Sequence, residues 1–129
     1  MSGEGRLHEG FVPGRHLIDA YGAGGFRFAE MSHRGSILAL PSGIHAWAVT
    51  EAAGIDAASL APVLAASGEV DLLLIGTGRE IAFLPDALRR RLREAGIGLD
   101  VMQTGAAART YNILAAENRK VAAALIAVA

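Results

Sequence analysis

Residues 69–78 read Glu-Val-Asp-Leu-Leu-Leu-Ile-Gly-Thr-Gly, an apolar run that stops abruptly at two glycines. A strand that is covered on one face alternates apolar and polar residues, and this run does not. Nearly continuous apolar runs are typical of strands that are buried on both faces in a parallel or mixed sheet. The sequence therefore predicts a central strand over residues 70–75.

Strand and helix signals alternate after this run. Three leucines at helical spacing give the next helix a buried stripe, formed by Leu84, Leu88 and Leu92. The elements predicted after the central strand are a helix over residues 84–95, a strand over 98–102, a helix over 105–117 and a strand over 121–128. Thr104 is the expected N-cap of the third helix, which is apolar nearly all round and should be largely buried.

The N-terminal half reads as β-structure with glycine-rich turns. Phe26 and Phe28 flank Arg27, which predicts a strand with one buried face. Strands are also predicted over residues 36–40 and 44–49, preceded by turns at His33-Arg34-Gly35 and Pro41-Ser42-Gly43. The glycines at positions 22, 24 and 25 could bind phosphate, but they lie between strands, where a hairpin connection is the simpler interpretation.

A short helix over residues 60–66 is predicted between the β-rich segment and the central strand. With Asp56 as N-cap, Pro62 would lie inside the helix and remove a hydrogen bond. With Ser59 as N-cap, Pro62 falls in the first turn, where its missing N–H has no cost. Gly68 is the expected C-cap.

The order of these elements predicts an α/β fold with a central mixed β-sheet, helices packed against it and an N-terminal β-rich segment. At 129 residues the chain is long enough for one substantial core. We expect a single α/β domain over residues 13–129, preceded by a flexible N-terminal tail over residues 1–12.

Composition limits the classes of function. The chain is 52% hydrophobic but only 5% aromatic, so its core must be built from Ala, Leu, Val and Ile. A net charge of −1 gives no general attraction to nucleic acid or to anionic lipid. There is no cysteine, which excludes disulfides, thiolate zinc sites and a cysteine nucleophile. With no signal peptide and no apolar run long enough to cross a bilayer, a cytoplasmic protein without a transmembrane segment is expected.

Two polar stretches are expected at one edge of the sheet. Gly76, Thr77 and Gly78 end the central strand, where open α/β sheets place their ligand crevices. They match neither a dinucleotide fingerprint nor a phosphate-binding P-loop, so the glycines either bind an anion weakly or serve a tight turn. The free amides that follow Thr104 should point into the same crevice, with Arg109 nearby to bind an anion or pair with a carboxylate.

Thr110, Tyr111 and Asn112 follow in the third helix. Threonine and asparagine are poor residues for a helix interior because their side chains compete for backbone hydrogen bonds. Tyr111 and Asn112 therefore join the candidate crevice, with the alternative that these polar side chains only fix a neighbouring loop. No catalytic residue, metal site or cofactor is predicted, since the four histidines lack ligand spacing and no serine lies in a nucleophile-elbow motif.

The predicted helix over residues 84–95 carries a second candidate surface. Arg89, Arg90 and Arg93 lie outside its leucine stripe. They form either a solvated face or a surface for a protein partner, because arginine is favoured at interfaces for its planar fork and weak hydration. No aromatic residues are interleaved with them to stack on bases, so nucleic acid is not an expected partner.

The whole pattern resembles a small domain of unknown function whose family includes mitochondrial respiratory complex I assembly factor 3 and the adipogenesis-associated domain protein. The resemblance covers nearly the whole chain from about Pro13. The residues that carry it are Ile18, Asp19, Tyr21, Gly22, Gly24, Gly25, Phe26, Arg27, Phe28, Gly35, Ser36, Pro41, Ser42, Gly43, Ile44, Trp47, Gly76, Thr77, Gly78, Thr104, Ala107, Thr110, Tyr111, Asn112, Leu114, Glu117, Ala123, Ala124, Leu125 and Ile126.

This resemblance implies a three-layer α/β fold and a non-enzymatic role in assembling the respiratory NADH dehydrogenase through protein contacts, possible partners being subunits of that complex. It implies no catalytic residue and no cofactor, and the lack of a mitochondrial presequence is typical of a bacterial member. Two positions depart from the family pattern. Gln103 stands where the family usually has Asp, which weakens any acid–base role for the crevice, and Asn118 stands where it has Gly.

Overall fold

The computed structural model describes residues 10–129, so the first nine residues of the predicted tail lie outside the described residues. The described strands are β1 (Phe11–Pro13), β2 (Ala20–Gly22), β3 (Gly25–Phe28), β4 (Met31–Arg34), β5 (Ser36–Leu40), β6 (Gly43–Trp47), β7 (Leu72–Gly76), β8 (Gly98–Met102) and β9 (Val121–Leu125). The described α-helices are α1 (Ala61–Ala65), α2 (Asp86–Glu94) and α3 (Thr104–Ala116).

Six strands form one mixed sheet in the order β1-β6-β5-β9-β7-β8. Strands β8 and β9 both pair with β7 in parallel, whereas the β5–β9, β5–β6 and β1–β6 pairs are antiparallel. From α1 onward the elements alternate α1-β7-α2-β8-α3-β9, as the sequence predicts. The predicted α/β fold with a central mixed sheet and a β-rich N-terminal segment is confirmed.

Strand β7 is buried on both faces, as its apolar run indicates. Leu73, Leu74 and Ile75 each have 0% exposure. Leu73 and Ile75 pack in one core cluster with α1 and α2, while Leu74 packs in the other cluster with α3. The strand starts at Leu72 rather than at Val70, because a short 3-10 turn over Ser67–Glu69 delivers the chain to the sheet.

The helices cover both faces of the sheet. On one face, α2 buries Leu88 and Leu92 beside α1, and Leu84, two residues before the helix starts, completes the predicted stripe. On the other face lie α3 and strand β3, whose Phe26 and Phe28 are buried. The arrangement is therefore three-layered, as the family resemblance implies.

A separate three-stranded sheet, order β2-β3-β4, was not predicted. The turn expected at His33-Arg34-Gly35 is wrong in part, because His33 and Arg34 belong to β4 and pair with β3. The actual β3–β4 turn uses Ala29 and Glu30 at φ 50° and 61°, a left-handed conformation that their residue types do not indicate. The chain then turns at Gly35 to enter β5.

Strand β1 pairs with β6 in antiparallel register, Phe11 opposite His45 and Val12 opposite Ile44. The proposed boundary between tail and domain at residue 12 therefore falls inside a paired strand. The Phe11 ring also contacts the His45 ring, with centroids 4.5 Å apart. Burial of His45 lowers the pKa of its imidazole.

Ser59 is not the N-cap of α1, so that prediction is wrong. Leu60 occupies the cap position, where the structure shows no side-chain cap hydrogen bond, although Pro62 does fall in the first turn. Ser59 instead closes a tight turn with Asp56: its hydroxyl accepts from the Asp56 amide at 3.0 Å, and its own amide donates to the Asp56 carboxylate at 2.8 Å. The Ser59 hydroxyl is therefore used by the turn before α1, since Asp56 is only three residues away, and it does not cap the helix.

Candidate functional site

The carboxyl ends of the three parallel strands meet at one edge of the six-stranded sheet. Gly76 in β7 is in register with Met102 in β8 and with Leu125 in β9. Helix α3 starts two residues after β8 ends. The structure therefore brings the turn at residues 76–78 and the start of α3 together, as expected from the strand-end geometry.

Thr104 connects these elements directly. Its hydroxyl accepts a hydrogen bond from the Gly78 amide at 2.9 Å and donates one to the Ile126 carbonyl at 2.7 Å. Its own amide donates to the Gly78 carbonyl at 2.9 Å. Thr104 is fully buried, so this side chain joins the turn after β7, α3 and the residue after β9 at one point.

Thr104 is the first residue of α3 and not its N-cap, which corrects the sequence prediction. Gln103 occupies the cap position, and its side chain makes no cap hydrogen bond. Gly76 has no room for a side chain because a Cβ there would lie 2.7 Å from the Thr104 Cα. The glycine therefore serves the close approach of α3 to β7, whatever else this edge does.

Thr77 fixes the loop between β7 and α2. Its hydroxyl donates to the Glu80 carbonyl at 2.7 Å and accepts from the Ala82 amide at 3.1 Å. The Thr77 amide donates to the Met102 carbonyl at 3.0 Å. With the side chain only 8% exposed and these partners in place, its role is to shape the loop.

A groove of about 460 Å³ opens in front of the start of α3. Its lining residues are Tyr21, Gly78, Arg79, Gln103, Gly105, Ala106, Arg109, Val128 and Ala129. Within residues 10–129, the amides of Gly105 and Ala106 have no hydrogen-bond partner. Arg109 is exposed at the rim, and Arg79 donates to a main-chain oxygen of Ala129 at 3.2 Å. Two guanidinium groups beside free helix amides give this groove the chemistry to attract an anion.

Tyr21 closes one side of the groove and was not among the predicted site residues. It comes from β2, in the small sheet, and its ring lies against Gly105, where a Cβ would stand 2.6 Å from the Tyr21 Cζ. The side chain is 47% exposed. Tyr21 is among the residues that carry the family resemblance, but its position at the groove was not predicted because the small sheet was not predicted.

Tyr111 and Asn112 are not part of this groove. The Asn112 side chain accepts from the Ile18 amide and donates to the Ile18 carbonyl, both at 2.8 Å, so it holds the chain as an additional strand would. Tyr111 is fully buried, and its hydroxyl donates to the His16 carbonyl at 3.5 Å. Burial raises the pKa of Tyr111 against the opposing effect of the Arg15 guanidinium. Both residues anchor the segment before β2, which is the structural alternative that the sequence left open.

The arginines of α2 lie on the opposite layer of the molecule from α3. Arg90 and Arg93 are exposed, and Arg89 is half-buried. The two candidate surfaces are therefore separate. Among residues 10–129 there is no group of three or more His, Cys, Asp or Glu side chains that could hold a metal ion. None of the helices in this part of the chain is long and apolar enough to cross a bilayer.

Comparison with known proteins gives close relatives. The chain is 46% identical over 109 residues to an uncharacterized protein of Rhodobacter capsulatus, covering 84% of this chain and 82% of that protein. It is 30% identical over 110 residues to NADH dehydrogenase [ubiquinone] 1 alpha subcomplex assembly factor 3 of Xenopus tropicalis. That match covers 85% of this chain and 60% of the assembly factor, so the chain spans less than two thirds of that protein.

A solved structure is also similar. This chain superposes on a Bartonella henselae protein described as an outer membrane protein, with a TM-score of 0.87 and 53% identity. The match covers 91% of this chain and 98% of that one. The family described as a protein of unknown function (DUF498/DUF598) matches residues 18–126. These matches confirm the resemblance found in the sequence, and the chain belongs to the DUF498/DUF598 family of proteins of unknown function.

Proposed function

We propose that this chain is a non-enzymatic protein-interaction factor that helps to assemble the respiratory NADH dehydrogenase. The observation that carries the proposal is its similarity, over 85% of its length, to proteins named as assembly factors of that complex. The structure is compatible with this role because α2 turns its leucines inward and leaves an arginine face in solvent, available to a partner. The proposal places the chain in the cytoplasm, with protein partners that include subunits of the complex.

Deletion of the gene in its host tests this role. We expect less assembled NADH dehydrogenase on native gels and a matching loss of NADH oxidation by membranes. Succinate oxidation by the same membranes is the control, since it bypasses that complex. A deletion strain with a full amount of assembled complex would refute the proposal.

The arginine face of α2 makes a specific prediction. Replacing Arg89, Arg90 and Arg93 with serine should preserve the fold, because the leucine stripe is untouched. Capture of the partner should weaken by about tenfold at low salt, chiefly through a slower association rate. Surface binding kinetics at two salt concentrations measure this, with Arg119→Ser, an exposed arginine after α3, as the control for loss of a surface positive charge. Equal capture by the triple variant would exclude this face as a docking site.

A second candidate function is weak anion binding in the groove at the start of α3. The observation that favours it is the pair of arginines, Arg79 and Arg109, beside two free helix amides. The donors are fixed by the fold, but both guanidinium groups stand at an open rim. Affinity for inorganic phosphate in the millimolar range is therefore expected, too weak to define an enzyme by itself.

Arg109→Ala tests the groove. We expect stability to remain within about 0.5 kcal/mol of the parent, because the side chain is exposed on the surface of α3. Phosphate-induced NMR shifts of the Gly105 and Ala106 amides should diminish in this variant and persist in Arg119→Ala. A large loss of stability would instead identify Arg109 as a structural residue.

A further inference from the structure

The loop between β7 and α2 exposes two large apolar side chains. Phe83 is 93% exposed and Ile81 is 59% exposed, whereas the next residue, Leu84, is 6% exposed and belongs to the core. Exposure of a whole phenylalanine ring is unfavourable in water unless another surface covers it. The loop therefore carries an apolar contact that the described part of the chain does not cover.

Hydrogen bonds within the loop determine that Ile81 and Phe83 are exposed. The Thr77 hydroxyl holds the Glu80 carbonyl and the Ala82 amide, which sets the path of the chain between them. Ala82 and Leu84 are more buried than their neighbours, so the segment alternates inward and outward like a strand. Ile81 and Phe83 consequently face solvent together, next to the start of α2.

The same region concentrates positive charge. Residues 79–94 contain five arginines and three carboxylates, whereas the whole chain has a net charge of −1. Arg90 and Arg93 stand four and seven residues after Asp86, so they share one face of α2 at about 6 and 10 Å along the axis from its start. An apolar projection is thus followed by a helix face on which two arginines outnumber the one carboxylate, Asp86.

We propose that Ile81, Phe83, Arg90 and Arg93, here called the loop–α2 surface, dock a partner protein whose contact region is an apolar cleft rimmed by Asp and Glu side chains. This inference rests on the proposed function and deepens it by naming the chemistry of the partner. The cleft would take up the Phe83 ring, and its rim would pair with the two guanidinium groups.

Two other occupants fit this surface less well. A second copy would place the surface against itself, and arginines would then face arginines across the two-fold axis. An anionic lipid surface would meet Glu80 and Asp86 among the arginines, and these carboxylates repel its headgroups. The rim of a protein cleft can place its Asp and Glu side chains opposite Arg90 and Arg93 and away from Glu80 and Asp86, which a lipid surface of uniform charge cannot do.

Photo-cross-linking in the host tests the proposal. A benzophenone amino acid replaces Phe83 in the full chain, and the control chain carries it at Ile113, which is 55% exposed on α3. We expect one main adduct from position 83 and none of the same size from position 113. Peptide mapping should place the cross-link among apolar residues flanked by carboxylates. Adding Arg90→Glu and Arg93→Glu should lower the yield of the adduct by about tenfold.

An adduct with a second copy, a cross-linked peptide without neighbouring carboxylates, or equal yields from positions 83 and 113 would each overturn the docking proposal. So would co-sedimentation of the purified chain with vesicles of phosphatidylcholine and phosphatidylglycerol that Phe83→Ser abolishes. The two proposals fail separately. Full rescue of NADH dehydrogenase assembly by Phe83→Ser would reject this surface alone, whereas normal assembly in the deletion strain would reject the assembly role alone.

Discussion

Leu73→Asp is expected to prevent folding. Leu73 has 0% exposure in β7 and packs in the core cluster between the sheet and the helices α1 and α2. A carboxylate at this position would be ionised without a partner or would have to be protonated, and either state costs several kcal/mol. Because the net stability of a small domain is about 5–15 kcal/mol, this one change removes much of it.

Soluble yield and a thermal melt followed by circular dichroism measure the effect. Ile113→Asp is the matched control, since it introduces the same charge at an apolar residue that is 55% exposed. The control should fold and melt within a few degrees of the parent. A soluble Leu73→Asp protein with a near-native melting temperature would contradict the buried-strand assignment of β7.

Periodicity predicted those parts of the fold that one element determines by itself. The apolar run of β7 and the stripe of Leu84, Leu88 and Leu92 each specify burial from a single stretch of sequence. The small sheet was not predicted in this way, because its β3–β4 turn uses Ala29 and Glu30 at positive φ. Neither residue type indicates such a turn. The turn places Phe28 opposite Met31 in the small sheet, and both side chains are buried in the core.

The candidate site was likewise predicted in part: the elements that form it were predicted, but the partners of its side chains were not. Strand order alone predicted that the turn at residues 76–78 would meet the start of α3, because parallel strands end at a common edge. The partners of single polar side chains were not predictable. Asn112 bonds to Ile18, 94 positions earlier in the chain, and this choice depends on a segment with no regular structure of its own. A polar residue inside a predicted helix indicated that a specific contact exists, but it did not identify the partner.

Two threonines, Thr77 and Thr104, connect the groove to the loop–α2 surface. Thr77 shapes the loop that carries Phe83, and Thr104 fixes the turn from which that loop departs. Changes at Thr104 should therefore act on the structure of this edge before they act on any ligand or partner. This separates a scaffold residue from the exposed contact residues Arg109 and Phe83.

Thr104→Val is expected to destabilise the protein by about 2–5 kcal/mol. Valine keeps the shape of threonine but removes the hydroxyl, so the Gly78 amide and the Ile126 carbonyl each lose a hydrogen-bond partner in a buried position. Leaving a buried polar group unpaired costs about 1–3 kcal/mol. The remaining bond, from the Thr104 amide to the Gly78 carbonyl, is made by the main chain and survives the substitution.

Thr104→Ser supplies the discriminating control, because serine retains the hydroxyl and loses only a methyl group, at a cost of about 1 kcal/mol. Urea unfolding should therefore rank the parent, the serine variant and the valine variant in that order, with similar m-values. Exchange of the Gly78 amide with deuterium should accelerate in the valine variant alone, since it loses its acceptor there. If the serine variant is as unstable as the valine variant, packing of the methyl group rather than the hydroxyl holds this edge together. If both match the parent, the hydrogen bonds of Thr104 contribute nothing to the joining of β7, α3 and the end of β9.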